Sequence, residues 1–175
     1  LTSINERAYL DIETSFYGRI TVVGIFVPPD NFVHLVGNMI EEYTIMRALD
    51  TSNVIVTFNG SRFDIPVIKK RFGLDLRSHF KSHDLMYDCW RQGLYGGLKV
   101  VEKKLGIGRK TEGLTGMDAP ILWERYIREG DESALDLLLK YNRDDVMNLL
   151  VLEERLNGRE GDEKAAGLVS GRGSE

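Results

Sequence analysis

Cysteine is nearly missing from this sequence: Cys89 stands alone among 175 residues. No internal disulfide can form, and one thiol with three histidines (His34, His79 and His83) gives no zinc-ligand spacing. A reducing, intracellular compartment, the cytoplasm, is therefore expected. No apolar run is long enough to span a bilayer, and the amino terminus lacks a charged-then-apolar signal pattern, so no membrane partner is expected. Positive charge is not in excess either: 23 Lys and Arg against 27 Asp and Glu leave a net charge of −4. That argues against a protein that grips polyanions by bulk charge. It leaves room for one whose clustered acids are neutralised by bound cations. The chain is long enough for one domain with a substantial core.

Read in order, the pattern is mixed. Residues 1–6 form a lead-in. Ala8–Thr14, Ile20–Val27 and Phe32–Val36 read as three strands separated by turn chemistry, which suggests an antiparallel meander. Asn38 is placed to cap a helix over about 39–49. Residues 53–58 carry a near-continuous apolar run, the mark of a strand buried on both faces. A helix is expected over 61–72, ended by Gly73, then a short strand over 82–87 running into a helix over 86–92. Helices follow over 98–105, over about 118–128 and over about 131–156, with a glycine-rich, mobile loop at 106–117. The expected domain is 1–157, and 158–175 reads as a disordered tail. The fold class is α/β with a mixed sheet and the acidic first strand near its centre.

Three stretches are candidates to carry chemistry. In Tyr9-Leu10-Asp11-Ile12-Glu13-Thr14 the strand alternation puts Asp11 and Glu13 on one face. Two acids on a core strand repel each other and lose hydration, and a divalent cation with a taste for oxygen ligands offsets that cost. The bland alternative is an edge strand whose acids face water. In Asn59-Gly60-Ser61-Arg62-Phe63-Asp64, Asp64 falls in the first turn of a helix just past a strand end, where crevices of α/β sheets form and where an acid also suits the helix dipole. In Tyr141-Asn142-Arg143-Asp144-Asp145, Tyr141 and Asp145 share a helix face among apolar neighbours, where a phenol and a carboxylate want a polar partner; the bland alternative is a core tyrosine with two solvated aspartates. Asp144 lies about 100° round the helix and reads as solvated. Asp84, between His83 and Leu85, is a further acid open to reading as a metal ligand.

Asp-x-Glu on a first strand, Asn-x-x-x-Phe-Asp after a later strand and Tyr-x-x-x-Asp on a late helix, in that order, resemble the three exonuclease motifs of the DEDD superfamily. This is the DnaQ-like group with a ribonuclease H-like fold. The tyrosine marks the DEDDy branch, which includes proofreading domains of family A and B DNA polymerases and stand-alone exonuclease domains of the YprB type. The resemblance spans residues 8–155 or so. Position 140 holds Lys140, which excludes the histidine branch.

The resemblance implies a five-stranded mixed sheet with helices on both faces and a 3′–5′ exonuclease. It implies two divalent cations, Mg²⁺ or Mn²⁺, on Asp11, Glu13, Asp64 and Asp145, with Tyr141 orienting the attacking water. It also implies substrate contacts from Thr14, Asn59 and Phe63. Lys99, in the first turn of a helix after two glycines, suits a phosphate. Phe16 and Tyr17 could stack on bases or serve as turn aromatics. Arg109 and Lys110 read better as solvated surface charges. The implied partners are single-stranded DNA or RNA with a free 3′ end and a replication, repair or RNA-processing protein. Two other readings are a ribonuclease H-type endonuclease and a non-catalytic accessory domain on a nuclease fold. The tyrosine motif speaks against the first, and the complete set of acids against the second.

Overall fold

The computed structural model describes residues 6–170, with side chains over 6–161. Five strands form one sheet: β1 (Arg7–Thr14), β2 (Ile20–Val27), β3 (Asn31–Val36), β4 (Val54–Thr57) and β5 (Lys81–Asp84). Their spatial order is β3-β2-β1-β4-β5. The first three make the expected antiparallel meander, while β4 and β5 add in parallel beside β1. The sheet is mixed, and the acidic strand lies at its centre.

Among the described residues, six α-helices accompany the sheet: α1 (Glu42–Ala48), α2 (Asp64–Phe72), α3 (Leu85–Arg91), α4 (Leu98–Leu105), α5 (Asp118–Glu129) and α6 (Glu132–Ser170). The period-2 alternation of the strands divides the core into two faces. Ala8, Leu10 and Ile12 of β1 pack with Ile45 and Leu49 near α1 and with Ile65 and Ile68 of α2. Tyr9 of β1 and Val54 and Val56 of β4 point the other way, against Leu85 and Cys89 of α3, Val101 of α4, and Val146, Leu149 and Leu152 of α6. Beside them, Val22 meets Ala119 and Leu122 of α5 and Leu138 and Tyr141 of α6. Asp11 and Glu13 have the parity of Tyr9, so β1 aims both acids at the α6 face.

Several local expectations need correction. The helix expected over 39–49 is a 3-10 turn at Gly37–Met39 followed by α1, with Glu41, not Asn38, as its cap. Glu41 wins because a reciprocal capping box forms with Thr44, whose hydroxyl accepts the Glu41 N–H at 3.0 Å. The helix expected from 61 starts at Asp64, because Asn59 takes a left-handed φ of 60° and turns the chain first. The strand expected over 82–87 stops at Asp84, which caps α3 by accepting the Met86 N–H at 3.1 Å. Helix α6 runs on through Ser170, across much of the stretch expected to be a disordered tail. Residues 1–5 of the lead-in and 171–175 of the tail lie outside the described residues.

Candidate active site

The central feature is a meeting of β1 with α6. One carboxylate oxygen from each of Asp11, Glu13 and Asp145 lies within 4.8 Å of the other two. The approach of α6 depends on Gly24, the β2 partner of Asp11. A Cβ there would fall 2.1 Å from Asn142 Oδ1 and 2.9 Å from Val146 Cγ2. Glycine thus lets α6 settle close over the sheet, one turn of helix from Asp145. The β1–β2 register slips between Glu13 and Thr14, an irregularity of the kind that re-aims side chains at a site.

Asp64 closes the other side. It is buried at the start of α2, and its Oδ1 accepts the backbone N–H of Ile12 at 3.0 Å, between the two acids of β1. It stands outside the tight trio but within its field. Burial, then the Glu13, Asp145 and Asp64 charges, pushes the Asp11 carboxyl well above its ordinary range. Burial foremost, with Asp145 next, raises Glu13 to about 8. Burial also raises Asp64 to about 7 against the pull of two backbone N–H groups. Asp145 is raised by burial and partly relieved by Arg109 and Lys99. Four acids that resist ionising together are a site built for added positive charge.

The donor set fits a hard divalent cation. The candidate ligands are all oxygens, and Glu13 Oε1 is buried with no hydrogen-bond partner among the described residues. Tyr141 is buried beside them, and its phenol oxygen accepts a hydrogen bond from Lys99 Nζ. Burial and the neighbouring Asp145, Glu13 and Asp11 charges keep that phenol protonated far above neutral pH. Lys99 Nζ is also 3.9 Å from Asp145 Oδ1. Lys99 is thus part of the acidic site.

The other candidate residues are placed as follows. Thr14 is half-buried at the end of β1, and Phe63 is 44% exposed just before Asp64. Asn59 shapes the turn with its backbone: its N–H donates to Asp84 Oδ1 at 2.7 Å, and its carbonyl accepts from Arg62 and Phe63. Phe16 and Tyr17 are exposed. Asp84 serves as the staple of this turn, taking Ser61 N–H at 3.1 Å and Ser61 Oγ–H at 2.6 Å besides Asn59.

Sequence reasoning missed the polar residues behind the acids. Arg109 is not a solvated surface charge: its side chain is 8% exposed and pairs with Asp145 and with Glu102. Asp144 is not simply solvated, since its Oδ2 accepts the N–H groups of Lys110 (2.9 Å) and Thr111 (2.8 Å) and the Thr111 hydroxyl (2.7 Å). Asn148 donates to the carbonyl of Gly108 at 3.2 Å. The glycine-rich loop expected to be mobile is therefore pinned to α6 at four residues, Gly108, Arg109, Lys110 and Thr111. Asn142, Glu102 and Asn148 were not expected at the site. Their one signal was an asparagine or glutamate amid apolar helix positions, a pattern that buried polar networks share with ordinary surface residues.

Residues 8–157 match the RNase_H superfamily. The chain belongs to that superfamily. Members of the superfamily are usually nucleases and generally use divalent metals, in keeping with the mixed five-stranded sheet and the acid cluster at its centre. The chain is also similar to the uncharacterized protein YprB of Bacillus subtilis (strain 168), 33% identical over 146 residues. That match covers 77% of this chain and 33% of YprB, so the chain spans about a third of that relative's length. Among the described residues, no helix is long and apolar enough to cross a membrane.

Proposed function

We propose that this domain is a metal-dependent 3′–5′ exonuclease that hydrolyses phosphodiester bonds at the 3′ end of single-stranded DNA or RNA. The observation that carries the proposal is the convergence of Asp11, Glu13 and Asp145 within 4.8 Å, with Tyr141 on the same helix face as Asp145. Asp11, Glu13, Asp64 and Asp145 would hold two divalent cations, Mg²⁺ or Mn²⁺. When bound, these would supply an activated water and charge stabilisation for the leaving oxygen.

The chain's own groups have distinct tasks. Tyr141, accepting from Lys99, still has its own O–H to donate, and it stays protonated at working pH. It orients the attacking water rather than acting as a base. Lys99 supplies a positive charge at the mouth of the site for the phosphate. Phe63, exposed beside Asp64, offers an apolar face to the terminal nucleotide, and Thr14 and Asn59 border the same end of the sheet. Replication, repair or RNA-processing proteins would be natural partners, in an intracellular compartment.

The test uses single-stranded DNA and RNA of one sequence, labelled at either end, with Mg²⁺ or Mn²⁺ and with Asp11→Ala as control. A ladder shortening from the 3′ end only, and absent in the variant, is the expected result. Internal cuts would indicate an endonuclease. Intact strands from folded protein would indicate a binding domain.

A further inference from the structure

Arg109 is held in an unusual way. Its Nη1 donates to both oxygens of Glu102, at 2.8 and 2.7 Å. Glu102 is 1% exposed and is itself fixed by Asn148 Nδ2 at 3.0 Å. One end of the guanidinium is thus anchored on a buried carboxylate. The other end, Nη2, donates to Asp145 Oδ1, an oxygen of the acid cluster. The remaining donor, Nε, is buried and has no partner among the described residues. Nε and Nη2 lie on the same edge of a guanidinium and form the side-on fork that matches two oxygens of a phosphate.

We propose that Arg109 is an exchangeable counter-cation of Asp145. Without metal its Nη2 neutralises Asp145. When a divalent cation takes that carboxylate, Nη2 is released, while Nη1 stays on Glu102. The freed Nε–Nη2 edge then binds a phosphate oxygen pair of the substrate. The identity of the phosphate rests on the exonuclease reading; the exchange at Asp145 does not. A buried guanidinium keeps its charge and needs acceptors, and a phosphate at the metal centre supplies two. The anchor on Glu102 limits the movement to a change of partner at one edge, so little side-chain freedom is lost in the switch.

The proposal makes two effects of one substitution run in opposite directions, which a merely structural role would not do. Mn²⁺ binding to the full chain is measured by calorimetry without nucleic acid, for wild type, Arg109→Gln and the charge-neutral pair Glu102→Gln/Arg109→Gln. The pair avoids leaving Glu102 buried and unpaired, and folding is checked by its melting curve. Mn²⁺ should bind about tenfold more tightly to both variants, because a charge-assisted hydrogen bond no longer competes for Asp145. A nucleoside 5′-monophosphate, titrated at saturating Mn²⁺, should bind about tenfold more weakly. Mn²⁺ affinity that is unchanged or weaker in the folded double variant would overturn the exchange. Unchanged nucleotide affinity would overturn the phosphate contact. Wild-type protein that binds Mn²⁺ but no nucleotide would sink the exonuclease reading and the phosphate contact together. The Mn²⁺ comparison would still decide the exchange.

Discussion

Asn142 holds Asp11 from across the fold: its Nδ2 donates to Asp11 Oδ2 at 2.9 Å and to the Asp11 carbonyl at 3.3 Å. The contact joins the last helix to the first strand and fixes the orientation of one candidate ligand. Asn142→Ala should weaken Mn²⁺ binding by about tenfold or more, the usual scale for losing a group that orients a metal ligand. Calorimetry on folded variant protein would decide it; undiminished affinity would mean Asp11 needs no such support. Gly24→Ala tests the same junction from the other side. Its Cβ would collide with Asn142 Oδ1, so we expect a loss of about 1–3 kcal/mol in denaturant unfolding.

The raised acids set the pH dependence of the metal-free protein. Their folded-state affinity for protons exceeds the ordinary one, with Glu13 near 8 and Asp64 near 7. The folded state therefore binds more protons than the unfolded state between about pH 4 and 8, and stability falls as pH rises across that window. A divalent cation reverses the cost. The melting temperature of metal-free protein should decline from pH 5 to 8, and Mg²⁺ or Mn²⁺ should raise it more at pH 8 than at pH 5. At 100 times the dissociation constant the gain is about 2.7 kcal/mol. Equal metal shifts at both pH values would argue against these carboxylates as the ligands.

Much of the sheet was legible because β1, β2 and β4 announce themselves through alternation or continuous apolar runs, and β1 displayed its two acids on one face. The match to the superfamily agrees with that reading of the fold. What was not legible depends on pairing across long sequence distances. Nothing in the local sequence around Arg109 says that Glu102 and Asp145 will meet it, since 36 residues separate Arg109 from Asp145. A loop rich in glycine reads as mobile until the Asp144 carboxylate is seen to hold its backbone. Asn38 obeyed the local preference for a cap, yet the capping box of Glu41 with Thr44 set the start of α1 further along.

A second polar network lies away from the acids and ties four elements together. Tyr9 O–H donates to Glu153 Oε2 at 2.7 Å, and Arg7 pairs with Glu153 Oε1 at 2.9 Å. His83 lies between Asp88 (2.6 Å) and Glu153 (3.2 Å). Its bonds to those two carboxylates, Asp88 first, raise it to about 9. The ionised imidazole stabilises the fold fully below pH 6.5, and that contribution disappears as pH rises through 9. His83→Gln should cost about 1–3 kcal/mol at pH 6 and much less at pH 10. Urea unfolding at the two pH values checks this; a cost independent of pH would mean His83 contributes by packing alone.

Asp64 and Asp84 are both buried acids beside the same turn, and they should respond to amidation in opposite ways. Asp84 accepts the N–H groups of Asn59, Ser61 and Met86 and the Ser61 hydroxyl. Its negative charge is matched by those donors, and Asp84→Asn turns one acceptor oxygen into a donor facing them. We expect a loss of about 2–4 kcal/mol. Asp64 has its Ile12 contact through Oδ1 alone, and burial makes its ionised form unfavourable. Asp64→Asn keeps an oxygen for Ile12 and removes a charge that repels Asp11 and Glu13. Metal-free Asp64→Asn should gain roughly 1–3 kcal/mol at pH 8 while losing the proposed metal-dependent hydrolysis. A residue retained for folding should not stabilise the protein when neutralised, so a gain in stability with loss of activity would mark Asp64 as kept for chemistry. A loss of stability comparable to that of Asp84→Asn would instead assign it to the scaffold of the turn.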